Sequence, residues 1–88
     1  MTQDEAAALL ADTLREIAPE ADPGAADPSL PLQEVADIDS MDFLRLVTII
    51  HDRTGIDIPA RDYPKLATLK LFAAYLVAAS GTGGLTPG

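Results

Sequence analysis

Asp39-Ser40-Met41-Asp42-Phe43-Leu44-Arg45-Leu46-Val47-Thr48-Ile49-Ile50-His51-Asp52-Arg53-Thr54-Gly55 reads as one helix with both ends marked. Ser40 stands where loop becomes helix; Ser is a preferred N-cap, and Asp42 suits a first turn. Gly55 closes the run as a left-handed C-terminal cap. At about 100° per residue, Phe43, Leu46, Val47, Ile50 and Thr54 fall on one side, which should be core. Met41, Arg45, Thr48 and Asp52 fall on the other, with Leu44 and Ile49 on the flanks. His51 lies near the edge of the exposed side, where a solvated histidine is the simplest reading, since no second titratable group is spaced to orient it.

Downstream, Ile56-Asp57-Ile58 is a short extended piece. The spacing then predicts one or two helical turns, with Pro59 at the first helical position and Pro64 interrupting them. Thr68 is placed to cap a last helix that buries Leu69, Phe72, Ala73 and Leu76 and ends at Ser80-Gly81. Residues 81–88 form a glycine-rich tail, flexible by composition. Upstream, Thr2 and Glu5 fit a capping box. Ala6, Leu9, Leu10, Leu14 and Ile17 recur at helical spacing behind it, so residues 3–17 form an amphipathic helix stopped by Pro19. Pro19, Pro23, Gly24, Pro28 and Pro31 then mark a long connection without regular structure. The expected fold is all-α: a small four-helix bundle of three main helices and a short third one, with a long first loop. Residues 1–80 form the domain and 81–88 the tail.

Composition limits what such a domain can do. A chain of 88 residues at −8 formal charge lacks the clustered Lys and Arg that bind nucleic acid. No apolar run approaches the roughly 20 residues that span a bilayer, and the acidic start Met1-Thr2-Gln3-Asp4-Glu5 is unlike a secretory signal. A soluble, cytoplasmic, monomeric protein is expected. The sequence has no cysteine and one histidine, His51. It therefore offers neither a disulfide nor a thiolate, and no His and acid are positioned to make Ser40 a hydrolase nucleophile. No catalytic or metal-binding residue is expected. Asp37, Asp39 and Asp42 lack the glycine and distal glutamate of a calcium loop.

Taken alone, Asp39-Ser40-Met41-Asp42 is first of all a helix start, and Ser40 its cap. A serine there is also at the surface, where a modifying enzyme can reach it and a phosphodiester would face the positive end of the helix dipole. Asp39 and Asp42 would repel that phosphate and are better explained as ligands for a basic surface, or the metal, of the enzyme that installs it.

Asp39-Ser40-Met41, the helix behind it, Gly55-Ile56-Asp57-Ile58-Pro59 and the final Thr68-Leu69 with Ala73-Ala74-Tyr75-Leu76 resemble, in register, the acyl and peptidyl carrier protein family. The resemblance implies that Ser40 carries 4′-phosphopantetheine, donated from coenzyme A by a phosphopantetheinyl transferase, with Asp39 flanking the site. It implies a carrier rather than an enzyme, holding an acyl or aminoacyl group as a thioester. Its other partners would be a loading ligase or acyltransferase and a downstream transferase or synthase. In that family the exposed face of this helix docks partners; here that face is Met41, Asp42, Leu44, Arg45, Thr48 and Asp52. The competing reading is a helical interaction module in which Ser40 is only a cap.

Two departures from the family narrow the expectation. Carriers of general fatty-acid synthesis bear several glutamates on this helix, whereas Ser40–Thr54 balances Asp42 and Asp52 against Arg45 and Arg53. A specialised pathway with a dedicated partner is expected. Phe43 and Tyr63 stand where small residues are frequent in carriers that sequester long chains, which points to a short or polar cargo.

Overall fold

The computed structural model describes residues 1–23, 25 and 27–85, with side chains described through residue 80. Helices α1 (Gln3–Ile17), α2 (Leu32–Ala36), α3 (Ser40–Thr54) and α4 (Leu69–Leu85) follow in order, with a 3-10 helix over Ala60–Leu66 between α3 and α4. The only β pairing among the described residues is an isolated bridge between Pro31 and Thr68. The bundle is all-helical, and no helix among the described residues is long and apolar enough to cross a membrane.

Each long helix starts where its cap chemistry dictates. The Thr2 hydroxyl accepts the Glu5 amide at 3.1 Å, and the Glu5 carboxylate accepts the Thr2 amide at 2.7 Å. These bonds, the backbone one foremost, hold Glu5 below its ordinary pKa. Thr68 caps α4, its hydroxyl accepting the Leu71 amide at 3.0 Å. Gly55 ends α3 in the left-handed region at φ 74°, where its amide reaches the His51 carbonyl at 2.7 Å. A side chain would be strained at that φ.

The core is aliphatic around one ring. Leu10 and Leu14 of α1, Leu46 and Ile50 of α3, Leu66, and Phe72 and Leu76 of α4 are fully buried. α1 lies against both α3 and α4, while the 3-10 helix packs on α4. Leu9, Ile17, Phe43 and Thr54, expected in the core, are half-buried at its edge.

One buried polar contact joins α1 to α3. Thr13 is completely buried; its hydroxyl donates to the Leu9 carbonyl at 2.8 Å and accepts from Arg53 at 3.0 Å. Arg53 also pairs with Glu16. With both its branches engaged on α1, Arg53 is turned away from the exposed stripe of α3.

Several local expectations change. A short helix, α2, follows Pro31 in a stretch without a periodic pattern; Asp37 ends it at φ 50°. Pro59 flanks the 3-10 helix instead of opening it, and Pro64 sits inside rather than breaking it. A lost amide removes one bond from so short an element, and buried Leu66 still anchors it. α4 continues to Leu85, beyond Ser80-Gly81. Glycine costs a helix about 1 kcal/mol per residue relative to alanine without forbidding helical dihedrals. Residues 86–88 of the expected tail lie outside the described residues.

The long connection is fastened at its far end. Lys70 donates its amide to the Pro28 carbonyl at 3.0 Å, and Leu32 donates to Ala67 at 2.9 Å. The 3-10 helix is held to α4 by the Tyr75 hydroxyl, which donates to the Asp62 carboxylate at 2.7 Å. That bond, with help from Lys65, holds Asp62 below its ordinary 3.8, and it pushes Tyr75 above its ordinary 10.0, burial adding to the effect. The stability owed to the lowered Asp62 is complete above pH 3.8 and lost as pH falls through its folded value. That owed to the raised Tyr75 holds below pH 10.0 and is lost as pH rises through its folded value. Tyr75→Phe should therefore lower the urea midpoint at pH 7, and its deficit relative to wild type should narrow at pH 3. A deficit independent of pH would show that the bond does not couple to Asp62 ionisation.

Candidate functional site

The site is built at the entry to α3. Ile38 is buried and anchors the chain between the left-handed turn at Asp37 and the helix. Asp39 follows in extended conformation as the N-cap: its carboxylate accepts the Asp42 amide at 2.9 Å, and Asp42 returns an oxygen to the Asp39 amide at 3.5 Å. This overturns one expectation: Ser40 is not the cap but the first residue of the helix, and the two aspartates cap it in each other's company.

The consequence for Ser40 is that its hydroxyl is spare. The residue is exposed, and its side chain makes no hydrogen bond to any other described residue. The cap also takes only one of the first amides of α3; those of Ser40 and Met41 meet no protein acceptor among the described residues. An oxygen-linked phosphodiester at Ser40 would thus stand at the open, positive end of the helix.

The remaining expected site residues divide into two groups. Met41, Leu44, Arg45 and Thr48 line one shallow groove together with Ile49. Met41 is 74% exposed and Leu44 48%, a high value for large apolar side chains of a small domain. Asp42, half-buried and turned into the cap, and Asp52, exposed farther along, are outside that groove. A second, separate surface groove shares Thr48 and is lined by His51, Ile58, Arg61 and Tyr75.

His51 is exposed, and it has a partner that its linear spacing does not show. Its Nδ1 lies 3.0 Å from the Ile56 carbonyl and 3.4 Å from the Asp57 carboxylate. The turn at Gly55 folds both back onto the last turn of α3. That reversal is what a one-dimensional spacing misses.

On the other side of α3, Phe43 meets Tyr63 of the 3-10 helix edge to face, with ring centroids 5.4 Å apart and planes at 79°. The pair borders a crevice that also includes Ile38 and Leu66. The core cluster against which Phe43 and Tyr63 pack includes Leu46, Leu66 and Phe72, all fully buried.

A family model described as the phosphopantetheine attachment site matches residues 6–76, from the first turns of α1 to the buried part of α4. The chain belongs to that family. No curated protein matches the chain. The phosphopantetheine attachment family carries 4′-phosphopantetheine covalently, and its domains work with a phosphopantetheinyl transferase and with partner enzymes. When bound, that group supplies a terminal thiol, which this cysteine-free chain has no side chain to provide. The residues present fit it: an exposed hydroxyl with no structural duty, at a helix start whose first amides are open.

Proposed function

We propose that Ser40 is the residue that takes the phosphopantetheine arm, with Asp39 holding it in place through the cap. The protein then serves as a cytoplasmic carrier that keeps an acyl or aminoacyl group as a thioester and hands it to successive enzymes. The observation that carries this reading is the division of labour at the start of α3: Asp39 caps, so the neighbouring hydroxyl is left exposed and unbonded. The chain itself contributes no acid, base or nucleophile to the chemistry of the cargo. A serine serving only as a cap, the interaction-module alternative, loses its basis once the cap is another residue.

Met41, Leu44, Arg45 and Thr48 are the surface offered to partners, with Asp42 and Asp52 at its margins. The loading enzyme is a ligase or acyltransferase, and the consuming one a transferase or synthase. The absence of a glutamate row on α3 favours a specialised pathway over general fatty-acid synthesis.

The cargo we infer is short or polar. A long chain entering between α3 and the 3-10 helix would have to part the Phe43–Tyr63 pair, worth about 0.5–1.5 kcal/mol beyond its burial, and then displace a filled core.

Two experiments test these proposals. Incubation with coenzyme A and a phosphopantetheinyl transferase should raise the intact mass of wild type by one arm and leave Ser40→Ala unchanged. Absence of the gain in wild type with several transferases, or its persistence in Ser40→Ala, would reject Ser40 as the site. For the cargo, a structure of the chain loaded with a long saturated acyl group should show that group outside the bundle. Density for the chain between α3, the 3-10 helix and α4 would overturn the short-cargo proposal alone.

A further inference from the structure

Three of the six basic residues are consumed internally: Arg15 pairs with Asp12, Arg53 with Glu16 and Lys65 with Asp62. Arg45, Arg61 and Lys70 form no ion pair with another described residue. Lys70 lies in a different groove, between α1 and α4, which Asp4 and Asp12 also line. Arg45 and Arg61 line two separate grooves that share Thr48, one on each side of it; together these two grooves make the trough along α3.

Arg45 is unpaired for a reason written in the helix. Its neighbours at three and four residues are Met41, Asp42, Thr48 and Ile49. The single carboxylate among them, Asp42, is bound to the Asp39 amide. Arg61 lies near enough to Asp62 to help lower its pKa, but Asp62 is already committed to Tyr75 and Lys65. Asp57, also on the trough, faces His51. The excess acid of the molecule is elsewhere: residues 1–30 hold Asp4, Glu5, Asp12, Glu16, Glu20, Asp22 and Asp27 against Arg15 alone, and none of them lines the trough.

We propose that the trough along α3 docks a partner enzyme whose binding surface is an apolar socket for Met41 and Leu44, rimmed by carboxylates that meet Arg45 and Arg61. This rests on the reading of α3 as the face shown to partners. It means that local charge, and not the net charge of −8, selects the partner. Exposed charge pairs add modest affinity but strong discrimination, because the wrong sign is repelled.

The test uses the full, unmodified chain, so it is independent of whether Ser40 accepts the arm; the mass measurement decides that separately. Two amphipathic helical peptides with the same leucine face, one flanked by glutamates and one by lysines, are titrated at low salt into the isotopically labelled protein and followed by NMR. The glutamate peptide should shift the amides of Met41, Arg45, Thr48 and Arg61 and bind roughly fivefold tighter than the lysine peptide. R45E combined with R61E should reverse that order, and R45Q alone should shrink it. Equal affinities, a tighter lysine peptide, shifts on another face, or no binding by either would each overturn the proposal.

Discussion

Two reciprocal hydrogen bonds between Asp39 and Asp42 set where α3 begins, and the chemistry open to Ser40 depends on that starting point. With Asp39 as the cap, Ser40 becomes the first helical residue, exposed and unbonded, beside amides that the cap does not use. Were the cap one residue later, the serine oxygen would be spent on the backbone instead of standing free.

The body of the domain holds α3 so that this end and one long face remain free. Leu46, Val47 and Ile50 bury one side in the shared core, where α1 lies against α3, and Arg53 reaches to Thr13 and Glu16 at the far end. Gly55 stops the helix and turns Asp57 back toward His51. Phe43 and Tyr63 close the flank nearest the site. What is left uncovered is a strip of Met41, Leu44, Arg45 and Thr48 starting beside the serine. The proposed attachment point and the surface proposed to identify the protein to an enzyme therefore lie on one helix, which suits a carrier that must be recognised and serviced in a single encounter.

Much of this was legible in the sequence because α1 and α4 carry their own start signals and α3 its own stop. Thr2 with Glu5, Thr68, and Gly55 did what their residue types predict, and the buried faces of α3 and α4 followed from helical spacing. What was not legible involves choices between equivalent neighbours, or contacts made by folding. Asp39 and Ser40 are both competent caps, and only the backbone conformation distinguishes them. α2 has five residues, too few for periodicity to show. The buried Thr13 waits for Arg53, 40 residues away, and so looks like a solvated residue in a linear reading. The proposal of Ser40 as the attachment serine rests on the resemblance of four segments in register, while the reason it is available is visible only in three dimensions.

The central claim is that Ser40 is retained for its reactivity while Asp39 does the structural work. Urea denaturation of the two alanine variants side by side tests this most directly. Asp39→Ala should lose about 1 kcal/mol of stability, the ordinary value of an N-cap, whereas Ser40→Ala should stay within about 0.5 kcal/mol of wild type. A loss of about 1 kcal/mol or more in Ser40→Ala, with Asp39→Ala unaffected, would make the serine the cap and contradict the account.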